Sequence, residues 1–178
     1  SASATVVTTG GKFGTNALQV NYTAGDGATI YLSPGNSSTV TYNAFVDPTV
    51  GKEYIVSAYF KAGTATAGAS GLKVRWDTGP STYVETGTTS VAVTDQANYV
   101  RYSAAVTVPA SATGNITIGV VNRNAANNTV YVDGVQIEQK IGGINTPGSY
   151  SMPGWTSIDG GIIRTGAIQS SSQISVNG

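Results

Sequence analysis

Apolar residues recur at every second position in short runs along most of this chain, the spacing of strands that each bury one face. In the run from Glu53 to Lys61, Tyr54, Val56, Ala58 and Phe60 share one face, while Ile55, Ser57, Tyr59 and Lys61 share the other. Leu72, Val74 and Trp76 then oppose Lys73, Arg75 and Asp77. Further on, Val100, Tyr102, Ala104, Val106 and Val108 oppose Tyr99, Arg101, Ser103 and Thr107. The first-named set in each run is the expected core. With β-branched and aromatic residues enriched and Gly, Pro, Asn and Asp as punctuation, the expected strands are Thr5–Thr9, Ala17–Tyr22, Thr29–Ser33, Thr39–Asp47, Glu53–Lys61, Gly71–Asp77, Tyr83–Val93, Tyr99–Val108, Asn115–Val121 and Thr129–Gln139. No helical period competes with them. Many short strands of this kind specify an all-β chain folded as an antiparallel two-sheet β-sandwich.

The texture changes near Lys140. Ile141 to Gly148 is Gly-rich and linker-like, and Ser157 to Gly178 carries isolated Ile residues too sparse to bury themselves. The expected division is a sandwich over 1–139 and a linker with a short C-terminal segment over 140–178. That segment needs partner chains, packs on the sandwich, or stays disordered.

Composition then removes most chemistries. The 178 residues include no Cys and no His, so thiol nucleophiles, imidazole acid–base catalysis, Ser-His-Asp triads and ordinary zinc sites are excluded. Charged residues are 10% of the chain and the formal net charge is zero, which argues against nucleic acid as a partner. No apolar run approaches the ~20 residues needed to span a bilayer, so membrane insertion is not expected. The carboxylates are few, and only Asp77 with Glu85 flank one expected hairpin; solvated turn and strand-edge positions explain them more simply than a hydrolytic pair. The chain reads as a non-enzyme without a required cofactor.

Binding is the remaining chemistry. An exposed ring can stack on the C–H face of a pyranose while neighbouring polar groups bind its hydroxyls. Tyr59 leads, beside Lys61, with Arg75, Asp77, Tyr99 and Arg101 on neighbouring strands as further candidates for the same surface. The plainer account is a set of cross-strand pairs on a solvent face or at a subunit contact. Trp76 falls on the core face and is expected to pack. Trp155 lies outside any expected strand, as an anchor for the tail.

Several segments resemble a known family. Gly51 to Gly63 is similar to the "G-K-x-Y-x-x-S-A-Y-x-K-A" strand of jelly-roll carbohydrate-binding modules of families four, nine and twenty-two. Gly14 to Val20 resembles their "G-x-x-A-L-x-V" strand, Tyr99 to Tyr102 stands at their "W-x-R-Y" position with Tyr for Trp, and Val130 to Glu138 resembles their closing "Y-V-D-D-V-Q-L-E" strand. The resemblance covers about 1–139 and implies a jelly roll that binds sugar without catalysis. It also implies a structural Ca²⁺ between Asp133 and Gly14 to Asn16 as an option, weakened because Gly134 replaces the second acid of the "D-D" pair and the usual opening strand is absent.

Ser157 to Ile168 resembles the "I-x-G-G-x-I-x-T-G-T-I" segment that follows such modules in bacteriophage tail-tip and tail-fibre proteins. This implies an extracellular virion protein, the start of a trimeric stalk, other tail subunits as partners and adhesion to a cell-surface polysaccharide or glycan. Two alternatives stay open: a structural decoration domain in tail assembly, and an accessory module of a polysaccharide-degrading enzyme.

Overall fold

Strands make up all the regular structure in the computed structural model, which describes residues 2–22, 28–32, 49–64, 68–79, 82–86, 91–112, 116–123 and 128–150. They are β1 (Ala2–Val7), β2 (Ala17–Tyr22), β3 (Ala28–Leu32), β4 (Glu53–Ala62), β5 (Gly68–Gly79), β6 (Thr82–Thr86), β7 (Val91–Val93), β8 (Val100–Thr107), β9 (Ile116–Arg123) and β10 (Asn128–Gln139). One sheet has the order β1-β2-β10-β4-β8; the other has β3-β9-β5-β6, with β7 also on β5. Every pairing is antiparallel. The all-β sandwich expected from the alternation is what forms.

Each sheet contributes the apolar face that its period-two pattern marks. Val56, Ala58 and Phe60 of β4 are wholly buried and join Leu72, Val74 and Trp76 of β5 in one core cluster with Val20, Val106, Val130 and Val132. Burying each of the larger side chains contributes about 1.5–3 kcal/mol. Tyr102 of β8 packs partly into this core, its ring 5.8 Å from that of Phe60. Val100, at the start of the edge strand β8, is 37% exposed.

Three departures from strict alternation matter for the surface. The expected strand Tyr83–Val93 is two strands: β6 pairs with the C-terminal half of β5 and β7 with its first residues. In β10, Asp133 pairs with Tyr59 and Gln136 with Ser57, so Gly134 and Val135 oppose the single residue Ala58. This bulge, with Gly134 at φ +57°, restores Val135 and Ile137 to the core side after Asp133. Finally, Ile55 and Ser57, expected on an outer face, are 2% and 0% exposed. The expected strand Thr39–Asp47, Trp155 and the Ser157 to Ile168 segment lie outside the described residues.

β10 ends at Gln139, but residues 140–150 stay on the sandwich. The Lys140 N–H donates to the Glu53 carbonyl, and its ammonium pairs with the Glu53 carboxylate at 2.9 Å. Arg101 Nη1 donates to the Gly148 carbonyl, and the Gly148 N–H donates to Glu138 Oε1 at 2.8 Å. The segment therefore returns as a strap across the outer face of the β1-β2-β10-β4-β8 sheet.

Candidate functional site

The outer face of that sheet carries two adjoining clusters, one open and one covered. In the open one, Lys61 of β4 pairs in register with Tyr131 of β10. Its Nζ lies 5.0 Å from the centre of the Tyr99 ring and 5.3 Å from that of Tyr131, both within cation–π range. Tyr99 Oη donates to the Gly10 carbonyl at 2.9 Å, tying the loop between β1 and β2 to the start of β8. Burial, then the Asp133 carboxylate and Tyr131, pushes the Tyr99 phenol up to about 12. Beside these groups runs a groove of about 280 Å³ lined by Val7, Thr9, Gly10, Gln19, Lys61 and Tyr131. Gly63 makes room for its floor: a Cβ there would stand 2.8 Å from Tyr131 Cε2 and 2.8 Å from Thr129 Cγ2.

The covered cluster surrounds Tyr59, which pairs with Asp133 on one side and Arg101 on the other. The Phe13 ring meets Tyr59 edge-on at 5.1 Å and stacks with Tyr150 of the strap at 4.2 Å. The Arg101 guanidinium lies 5.3 Å from the Tyr59 ring centre and Lys12 Nζ lies 5.7 Å from it. Arg101 Nη2 also donates to Ser57 Oγ at 2.9 Å and to Gln136 Oε1 at 3.2 Å, while its buried Nε has no partner. Burial, and next the Asp133 carboxylate, raises the Tyr150 phenol above its ordinary value.

Asp133 organises both clusters. Its Oδ2 accepts from the Lys12 and Phe13 N–H groups at 2.7 and 2.9 Å, and its Oδ1 from the Gly134 N–H at 2.7 Å. The Lys12 and Phe13 donors dock the 8–16 loop on β10. No group of three or more potential ligating side chains occurs among the described residues. A second cavity of about 360 Å³ runs beside this loop, lined mainly by apolar groups including Val6, Leu18, Val132 and Tyr150. Its lining offers little to sugar hydroxyls, so the polar groove is the better candidate.

Of the six residues expected on one surface, the structure brings Tyr59, Lys61, Tyr99 and Arg101 together. It separates Arg75 and Asp77, and this is a correction: both occupy β5, which pairs with β6, β7 and β9 in the opposite sheet, while β4 pairs with β8 and β10. The chain crosses between sheets after β4, so adjacency in sequence does not become adjacency in the sheet. Asp77 pairs with Tyr83, and Glu85 with Arg75. Sequence reasoning missed Tyr131, Gln19, Lys12, Phe13 and Tyr150. For Tyr131 a signal existed, since it alternates with Val130 and Val132 and so shares the face of Asp133. For Phe13 and Tyr150, in loops without a period, none did.

With this geometry in hand, solved structures supply the comparison. Two xylan-binding domains of family twenty-two from Paenibacillus barcinonensis Xyn10C match at TM-score 0.53. The first is 13% identical over 78% of this chain and 81% of its own; the second is 15% identical over 79% and 88%. The chain has the jelly-roll fold of these modules. A module pair from Clostridium thermocellum xylanase 10B, a family-twenty-two module joined to a family-ten glycoside hydrolase module and complexed with xylohexaose, also matches at 0.53 and 20% identity, over 83% of this chain and 26% of that one. The chain thus spans about a quarter of that protein fragment. At these identities the likeness is one of fold. No protein-family model matches the sequence, and no curated protein matches it. No helix among the described residues is long and apolar enough to cross a membrane.

Proposed function

We propose that this chain is a non-catalytic glycan-binding module that uses the outer face of its β1-β2-β10-β4-β8 sheet. One observation carries the reading: a polar groove on that face holds an ammonium between two tyrosine rings, with Thr9, Gln19 and Tyr131 supplying hydrogen-bonding groups. Lys61, Tyr99 and Tyr131 contact the sugar. Tyr59 and Arg101 support the wall of the site, because both already engage Phe13, Tyr150 or Gly148. The fold shared with xylan-binding domains supports this reading.

The finer assignment is an extracellular phage tail protein that adheres to host-surface glycan, with residues 157–168 starting a trimeric stalk. The resemblance of that segment to tail proteins supports it. A trimer turns weak sites into avid ones, because the second engagement is intramolecular. A second reading, an accessory module of a polysaccharide-degrading enzyme, is favoured by the hydrolase module joined to one of the fold neighbours.

The test is binding of the whole chain to a panel of immobilised polysaccharides, with Tyr131→Ala and Tyr59→Ala alongside. Retention by at least one polysaccharide, reduced roughly tenfold in Tyr131→Ala through loss of stacking between the pyranose C–H face and the ring, is the expected result. No retention by any polysaccharide, or full retention by Tyr131→Ala, defeats this site.

A further inference from the structure

The groove contains an ammonium that makes no ion pair among the described residues. Lys61 makes its two ring contacts and, among the described residues, neither an ion pair nor a hydrogen bond. The Lys12 ammonium, on the neighbouring exposed loop, likewise makes only its contact with the Tyr59 ring. The carboxylates of the same face are occupied differently. Asp133 is bound by three backbone N–H groups, and Glu138 accepts from Gln136 Nε2 and from the Gly148 N–H. Ring quadrupoles hold an ammonium in place without using its N–H donors, which stay available to a ligand. A neutral pyranose offers those donors only hydroxyl oxygens. A charged oxygen forms a charge-assisted bond about twice as strong, and the groove already contains its counter-charge.

We propose that the groove selects an acidic saccharide, a sugar chain whose residues bear an anionic substituent, with the anion on Lys61 and the ring against Tyr131. This inference rests on the glycan-binding reading and names its ligand class. Thr9 and Gln19 bind hydroxyls, and Lys12, on the neighbouring loop beside Tyr59, meets the next anionic residue along the chain.

The decisive experiment measures binding of the whole chain to polygalacturonate, dextran sulfate and a phosphodiester-bearing mannan, and to neutral xylan and dextran, at low and high salt. The three acidic polymers distinguish carboxylate, sulfate and phosphodiester as the source of the charge. At least one of them is expected to bind about tenfold more tightly than either neutral polymer, with the advantage shrinking in salt. Lys61→Gln should abolish the advantage, Lys61→Arg should retain most of it, and Lys52→Gln, outside the groove, should leave it intact. Thermal unfolding of each variant separates loss of the site from loss of the fold. Equal binding of neutral and acidic polymers overturns the acidic class and leaves the glycan reading standing, and an advantage that survives Lys61→Gln overturns the assignment of the anion to this groove. Binding to none of the five overturns both.

Discussion

Gly134 shows how much of the surface depends on one backbone conformation. Its φ of +57° is costly for any L side chain, and a Cβ there would stand 2.8 Å from Phe13 Cε2 and 3.1 Å from Tyr59 Cδ2. Gly134→Ala is therefore expected to destabilise the fold by about 1–3 kcal/mol, read as a lower urea midpoint, and to displace Phe13. An unchanged midpoint would mean that the bulge relaxes. Tyr99 yields a pH prediction of definite sign. Its folded pKa is raised to about 12 against 10 in the unfolded chain, so below pH 10 both states hold the proton and nothing is lost. As pH rises from 10 to 12 the unfolded state ionises first and stability falls. In Tyr99→Phe that part of the alkaline loss should disappear from urea midpoints measured across this range, leaving the share of Tyr150. Neither residue's role follows from alternation alone, since one depends on a bulge and the other on a loop that arrives from 89 positions away.

At the scale of elements, the strap over 140–150 and the loop over 8–16 convert a sheet face into a walled site. The strap is held by a planar guanidinium that reaches Gly148, Ser57 and Gln136 at once. A lysine offers a point charge in place of that fork. Arg101→Lys should accordingly release the Gly148 carbonyl almost as fully as Arg101→Ala. In both variants the Gly148 amide should exchange with solvent at least tenfold faster, while β4 amides keep their protection. Equal protection of Gly148 in all three proteins would show that the Glu138 bond to its amide and the Phe13–Tyr150 stack hold the strap without Arg101. The edges of β4 and the end of β10 at Gln139 were legible because strands end where alternation ends. The return of the chain was not, because a Gly-rich segment without periodicity carries no mark of the surface on which it lands.

For the whole molecule, the strap changes where the chain should be cut. A version ending at Gln139 would strip Tyr150 from Phe13, whereas one ending at Tyr150 removes only the segment proposed to trimerise. Light scattering is expected to give a trimer for the full chain and a monomer for the version ending at Tyr150. Two monomers would remove the stalk from the proposed function and leave the glycan groove untouched; two trimers would move the oligomer contact into the sandwich. The separation of Arg75 and Asp77 from Tyr59 belongs to this scale as well. Strands β4 and β5 are consecutive and patterned alike, and only the assembled sandwich sets them in different sheets.

What the amino-acid sequence determined by itself was most of the described strands and their inward faces, because a period of two is a local property of an extended backbone. Tyr54, Val56, Ala58, Phe60, Leu72, Val74 and Trp76 are buried as that period requires. What only the tertiary structure decided was which strands became neighbours, where β10 slipped by one residue, and which loops closed over the face. Ladder hydrogen bonds join backbone groups that are the same in every strand, so pairing is chosen by the fit of whole faces and by long-range anchors. The Asp133 carboxylate on the Lys12 and Phe13 amides is one such anchor, 120 positions apart from Phe13 in the chain.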